Sequence, residues 1–298
     1  CFHPCEKECA RNAVDGAVNI NAVEQFLGDL DLPEEQPAVR HTAKVAVVGS
    51  GPAGLSCACF MARMGYPVTV FEAAPRPGGM LRYGIPAYRL PDAVVEAHVA
   101  RLEALGVSFR CNTRIGKGGD LTLGDLRRRG YKAFLLAPGT SLSRRIAIEG
   151  AELPGVLWGV EFLRAVRGDH APTFSGHVVV VGGGNTAAAD VIYLARICRK
   201  VYLVHRRDKL RATAIYHERL RELGNVEFCW DSIAEEFIAG ENGRVTGLKL
   251  RNVKTGDERV LAASAVFIAI GMRPYTAFLE GDLETDGGGY IVADAMGR

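Results

Sequence analysis

The sequence predicts an α/β fold in which one strand–turn–helix–strand unit occurs twice, preceded by a short helical segment rich in cysteine. Three observations carry this expectation. Residues 44–72 and 178–205 follow the same plan, each with a glycine-rich turn between an apolar strand and a helix. In each copy the residue ending the second strand stands 23 positions after the first glycine of the turn, Glu72 after Gly49 and His205 after Gly182. Three cysteines, Cys1, Cys5 and Cys9, come ahead of an acidic, proline-containing stretch at 28–40 that reads as a linker.

The chain has 298 residues, 48% of them hydrophobic, which is enough for two nucleotide-binding domains. A formal net charge of +2 provides no global field to recruit nucleic acid or an anionic membrane, so neither is an expected partner. No apolar run approaches the roughly 20 residues that a membrane-spanning helix needs. The start, Cys1-Phe2-His3-Pro4-Cys5, lacks the charged-then-apolar layout of a signal peptide, and a cytoplasmic location is the default expectation. The other five of the eight cysteines, Cys57, Cys59, Cys111, Cys198 and Cys229, show no disulfide framework. Thiols clustered at one end point instead to metal or redox work.

In the first copy Lys44-Val45-Ala46-Val47-Val48 reads as a strand and Gly49-Ser50-Gly51-Pro52-Ala53-Gly54 as the turn. A small-residue helix then runs to Met64, Gly65 stops it, and Val68-Thr69-Val70-Phe71 is the second strand, ending on Glu72 and Ala73. In the second copy Val178–Val181 leads into Gly182-Gly183-Gly184-Asn185-Thr186-Ala187, a helix to about Ile197, and Val201–Val204. The first glycine permits the sharp turn, the second lets backbone approach a pyrophosphate, and the third small residue keeps helix and strand close. The helix N-terminus offers unpaired N–H groups to phosphate. Both units therefore read as Rossmann-like dinucleotide sites; the plain alternative is a tight turn between buried strands.

The strand ends separate the ligands. A carboxylate at Glu72 can accept bonds from the hydroxyls of an adenosine ribose, which suits FAD or NAD. The second strand ends on His205-Arg206-Arg207, with Arg211 four residues further on, and guanidinium forks suit the 2′-phosphate of NADPH. A solvated basic loop remains the alternative. Two further strands, Ala133–Thr140 and Ala265–Gly271, bracket the second unit and suggest that it is inserted into the first domain. The expected division is a Cys-rich segment and linker at 1–40, the FAD domain at 41–141, an NAD(P) domain at 142–274, and a return to the FAD domain at 275–298.

The turn Val48–Leu55, paired with Gly78-Gly79-Met80-Leu81-Arg82-Tyr83-Gly84-Ile85-Pro86, resembles the small (beta) subunit of glutamate synthase. Its relatives are the flavoprotein subunit of ferredoxin-NADP transhydrogenases and the N-terminal part of dihydropyrimidine dehydrogenase. From Gly182 onward the chain is also similar to thioredoxin reductase. The resemblance implies that Gly79, Leu81, Gly84 and Ile85 lie along the flavin and that Arg206, Arg207 and Arg211 hold the 2′-phosphate; Gly139 and Gly271, near the ends of the two bracketing strands, are further candidate cofactor contacts. It implies that Cys1, Cys5, Cys9 and Glu24, the last just after Asn19-Ile20-Asn21, belong to a segment carrying [4Fe–4S] clusters, incomplete in this sequence; a zinc site or an idle remnant are the alternatives. The family continues past Tyr290-Ile291-Val292 with a Gly-Val-Phe-Ala-x-Gly-Asp segment that contacts FAD. The sequence ends at Arg298 before it, so weak flavin retention is expected.

Thioredoxin reductases carry a Cys-x-x-Cys ahead of the second glycine turn, whereas residues 160–181 contain no cysteine. Cys57 and Cys59, two apart on a helix, cannot substitute, because they point to nearly opposite sides. The resulting expectation is hydride transfer from NADPH to FAD without a protein acid or base, with electrons leaving through [4Fe–4S] centres to a partner. That partner is a glutamate synthase large-subunit-like or ferredoxin-like protein, and a homodimer is compatible with the sequence. A stand-alone NAD(P)H reductase of a small acceptor and a non-catalytic electron-transfer module are the alternatives.

Overall fold

The computed structural model describes residues 4–30, 36–168, 173–174, 176–279, 281–295 and 297. By its internal contacts the chain divides into two units, Cys1–Gln36 and Pro37–Arg298.

In the first unit α1 (Pro4–Lys7) and a 3-10 turn (Ala10–Ala13) precede α2 (Ile20–Gly28). The Asn19 side chain caps α2 by accepting from Ala22 N at 3.0 Å, so Asn19-Ile20-Asn21 serves locally as a helix start. Val23, Phe26 and Leu27 on α2 are exposed.

The second unit begins with β1 (Lys44–Val48), α3 (Pro52–Arg63), β2 (Val68–Phe71), α4 (Met80–Tyr83), α5 (Asp92–Ala104), β3 (Ser108–Arg110), α6 (Leu123–Arg128) and β4 (Tyr131–Leu136). The strands form a parallel sheet in the order β3-β2-β1-β4. A short crossover strand, β5 (Leu142–Ser143), leads out of it. The chain continues through β6 (Val156–Trp158), α7 (Gly159–Arg167), β7 (His177–Gly182), α8 (Asn185–Leu194), β8 (Lys200–Val204), α9 (Ala214–Arg221) and β9 (Val226–Cys229). An antiparallel meander of β10 (Ser232–Ala239), β11 (Val245–Asn252) and β12 (Glu258–Ala262) precedes β13 (Ala265–Ala269). The second parallel sheet has the order β6-β13-β7-β8-β9. The return strand β14 (Met272–Arg273) pairs antiparallel with β5, so the two connections between the sheets run side by side.

Burial explains why β7 and β13 are continuous apolar runs. Val178, Val179 and Val180 are fully buried between helices on one face and the meander on the other, as parallel strands covered on both faces must be. Each such valine contributes roughly 1.5–3 kcal/mol. Both sheets reverse strand order at the strand that feeds a glycine turn, β1 in the first and β7 in the second. In doubly wound folds, ligands bind outside the carboxyl ends of the strands at this reversal.

One ion cluster ties the halves together. Arg167 of α7 donates from Nε to the Arg82 carbonyl at 2.5 Å and from Nη2 to Asp92 at 2.5 Å. The buried Arg82 guanidinium also faces Asp92 and Glu96 at 3.5 Å. Burial, the first cause, and the neighbouring Arg76 guanidinium lower the Arg82 pKa from its ordinary value.

Candidate functional site

The carboxyl end of β1 opens into a cavity of about 710 Å³, within the range of small-molecule and cofactor sites. The glycine turn forms its floor. Gly49 has φ +101, and a Cβ there would lie 2.2 Å from the Ala137 carbonyl, so only glycine lets β1 turn this close to β4. Gly51 caps α3 with nothing within 4 Å of its would-be Cβ, and Pro52 occupies the first helical position, where a missing N–H costs nothing. Gly79, at φ +51, lets the 78–86 segment lie across this turn; a Cβ would meet Gly51 Cα at 2.8 Å.

Glu72 closes the cradle. One carboxylate oxygen accepts from Ser50 N at 3.0 Å and from Ser50 Oγ, while the other accepts from Ala74 N at 2.8 Å. A carboxylate offers about four lone-pair positions, so acceptor capacity is left for ribose hydroxyls. Ser50 is fully buried, and its Oγ accepts from Gly78 N at 2.9 Å, which binds the glycine turn to the 78–86 segment.

Of the residues expected here, Gly49, Gly51, Pro52, Glu72, Ala73, Gly79 and Gly139 line the cavity. Ala53 and Gly54 start α3 behind the turn. Leu81 packs into the apolar core beneath α3, Gly84 is buried against the Met80 side chain, and Ile85 follows it; none of the three reaches the cavity. The helical spacing of α4 explains this, since Met80 and Tyr83, three apart, share the face that lines the cavity. Gly271 lies outside the lining, where its carbonyl accepts from Arg144 N. Sequence reasoning missed Ser50, Tyr83, Arg164 and Tyr275. Only the aromatic character of Tyr83 and Tyr275 offered a signal.

The second turn repeats the plan with different walls. Gly184 caps α8, and Asn185, Thr186 and Ala187 form its first turn. Asn185 Oδ1 accepts from Thr213 N at 3.0 Å, and the Gly183 carbonyl accepts from Arg211 N and Ala212 N at 2.7 and 3.0 Å. The loop carrying Arg206, Arg207 and Arg211 is thereby folded back onto the turn. Among the described residues none of these three guanidinium groups has a salt-bridge partner. His205 packs beneath the turn, where a Cβ on Gly183 would lie 2.3 Å from its ring. Burial lowers the imidazole pKa, and Arg211, Arg207 and Arg206 push it the same way. The positive charge available to a phosphate is therefore that of the arginines.

Asp190, an acid within the apolar face of α8, was also missed. It is fully buried, neither carboxyl oxygen has a hydrogen-bond partner among the described residues, and burial pushes its carboxyl well above the usual carboxylate range. It faces Gly159 at the start of α7, where a Cβ would come 2.8 Å from Oδ2. Because the folded state keeps a proton that the unfolded chain releases above about pH 4, stability attributable to this group falls as pH rises, by up to about 1.4 kcal/mol per unit. Asp190→Asn is expected to raise the melting temperature at pH 7.5 and to change it little at pH 4.5. Thermal melts at both values check this, and a pH-independent difference would contradict it.

The iron–sulfur expectation fares differently. Cys1 lies outside the described residues, and Cys5 and Cys9 carry free thiols. Glu24 is exposed on α2. Among the described residues no group of three or more His, Cys, Asp or Glu side chains could hold a metal ion. Among them, too, no helix is long and apolar enough to cross a membrane.

Comparison with known proteins agrees with this geometry. The chain is 33% identical to the NADP(+)-dependent formate dehydrogenase subunit beta of Moorella thermoacetica, over 99% of this chain and 48% of that protein. It is 31% identical to the glutamate synthase [NADPH] small chain of Escherichia coli (strain K12), over 97% and 68% respectively, which bears out the resemblance drawn from the Gly78–Pro86 segment. The chain thus spans about half the length of the first of these relatives. Thioredoxin reductase of Lactococcus lactis in its FR conformation superposes with a TM-score of 0.68 at 27% identity, over 86% of each chain. Residues 43–298, both glycine turns included, match the family model described as pyridine nucleotide-disulphide oxidoreductase. Two dinucleotide cradles on paired parallel sheets, matched throughout by one family model, place the chain in the pyridine nucleotide-disulphide oxidoreductase family.

Proposed function

We propose that this chain is an FAD-dependent oxidoreductase that takes hydride from NADPH and delivers electrons to a protein partner. The observation that carries the proposal is the contrast between the two cradles: a carboxylate, Glu72, faces one nucleotide site, and three arginines with no salt-bridge partner among the described residues lie on the loop folded over the other. Gly49, Gly51 and Pro52 would hold the pyrophosphate of FAD at the N-terminus of α3, and Glu72 the ribose hydroxyls. Gly182, Gly184, Asn185 and Thr186 would hold the pyrophosphate of NADPH, and Arg206, Arg207 and Arg211 its 2′-phosphate. A bound flavin accepts an electron pair as hydride and can release electrons singly.

The chain's residues bind, orient and exclude water. Tyr83, Tyr275 and Phe278 supply aromatic walls to the cavity. Arg164 reaches its rim with Nη2 on the Ser141 carbonyl at 3.2 Å. One relative is named as a beta subunit and another as a small chain, which favours a partner over a small terminal acceptor for this chain. Cys5, Cys9 and Glu24 are not gathered into a group of three or more possible metal ligands among the described residues, and Cys1 lies outside them. The test is menadione reduction by the FAD-loaded chain with NADPH and with NADH. Turnover preferring NADPH by about tenfold or more in kcat/KM supports the reading; no turnover with either would sink it.

A further inference from the structure

The segment that lines the flavin cavity with Gly79, Met80 and Tyr83 continues past the cavity to a second feature. A tight turn follows, with Arg89 N and Leu90 N both donating to the Pro86 carbonyl at 2.9 and 3.1 Å. It sets Tyr88 against the apolar core around α8 and α9. Three guanidinium groups gather there. Arg196 and Arg219 lie over the Tyr88 ring, 5.4 and 5.7 Å from its centroid, and Arg89 lies 4.9 Å over the ring of the buried Tyr216. All three arginines are exposed, and none has a salt-bridge partner among the described residues. The acidic neighbours on α9 and its end are Glu218 and Glu222, with Arg221 between them.

A guanidinium resting on an aromatic face is held in a fixed plane while its N–H groups still point outward. Little side-chain freedom is then left to lose when a carboxylate arrives, and bidentate pairing is available to each fork. The Tyr88 hydroxyl, buried without a hydrogen-bond partner among the described residues and with its pKa pushed up to about 12 chiefly by desolvation, leaves the phenol neutral beneath the charges. Ile215 is 48% exposed and stands four residues before Arg219 on α9, so an apolar contact sits on the same face as the charge.

We propose that the Arg89–Arg196–Arg219 patch is the docking surface for an acidic electron-accepting protein. The inference rests on the oxidoreductase reading above and adds the partner's chemistry. Its supports are the unneutralised positive charge, the apolar residue beside it, and continuity along one segment with the wall of the flavin cavity. The balance is one NADPH giving NADP+, a proton and two electrons, so two one-electron acceptors are reduced in each cycle. The overall charge of +2 provides no global field to recruit nucleic acid or an anionic membrane.

The test uses the full FAD-loaded chain and an acidic [2Fe–2S] ferredoxin as probe. Binding is measured by calorimetry at low and high salt, and NADPH-driven reduction of ferredoxin and of uncharged menadione is followed in parallel. Ferredoxin is expected to bind at low salt and weaken as salt rises. Replacing all three residues, Arg89→Gln, Arg196→Gln and Arg219→Gln, is expected to weaken binding roughly tenfold or more and flatten the salt dependence. Menadione reduction should stay within about twofold, since none of the three lines the flavin cavity or belongs to the second glycine turn and its arginine loop. The matching Arg→Lys triple variant should retain part of the affinity. Absent binding, or binding unchanged in the Gln variant, would overturn the docking surface, as would tighter binding to phosphatidylserine vesicles or duplex DNA than to ferredoxin. Ferredoxin binding that behaves as expected while NADPH reduces neither acceptor would refute the oxidoreductase reading alone.

Discussion

Arg206→Glu raises the KM for NADPH by roughly tenfold to a hundredfold and leaves the KM for NADH within about twofold. The charged hydrogen bond lost is worth about 1.5–3 kcal/mol, and 1.4 kcal/mol corresponds to a factor of ten. Arg206 is exposed on the loop that Arg211 N and Ala212 N fasten to the Gly183 carbonyl, and it has no acidic partner among the described residues. Its replacement therefore removes nothing that holds the fold, while a carboxylate there repels the 2′-phosphate. Steady-state kinetics with both nucleotides decide the matter. Equal losses for NADPH and NADH would mean that the loop shapes the site generally and does not read the phosphate.

Glu72→Ala is expected to lower FAD affinity by about a hundredfold. The carboxylate holds Ser50 N and Ala74 N from opposite sides of the cradle and receives the Ser50 hydroxyl. Its removal withdraws the acceptor for the ribose, worth about 1.5–3 kcal/mol of affinity, and frees two backbone donors that hold the turn in place. Glu72→Gln should fall between, because an amide offers one acceptor oxygen and turns its N–H group towards one of those donors. Flavin fluorescence titration measures both. Unchanged affinity in the alanine variant would show that Glu72 braces the turn without contacting the cofactor.

The repeated unit was legible because its signal is local. A buried apolar strand, a glycine turn and a small-residue helix leave a fixed pattern, and both copies fold where that pattern places them. The ends of β2 and β8 were legible for the same reason, since a fixed spacing brings Glu72 and the arginine loop beside their turns. The 78–86 segment was readable only in part. Leu81 was expected along the flavin, yet one turn of helix at Met80–Tyr83 gives the cavity its neighbours and turns Leu81 to the core. Ser50 could not be singled out, because its position in the turn accepts many residue types and its role depends on Gly78 approaching from 28 residues away. Asp190 was hidden in a helical apolar pattern; only its burial against Gly159 reveals an acid without a hydrogen-bond partner among the described residues. The Tyr88 patch joins residues more than 100 positions apart, a distance over which sequence spacing carries no information.

The most direct test of the central claim is an anaerobic titration of the FAD-loaded chain, following flavin absorbance as NADPH is added. One equivalent of NADPH per flavin should bleach the visible flavin bands, with NADH far slower at equal concentration. Flavin that stays oxidised with excess NADPH, in a chain that demonstrably binds both nucleotides, would contradict the account.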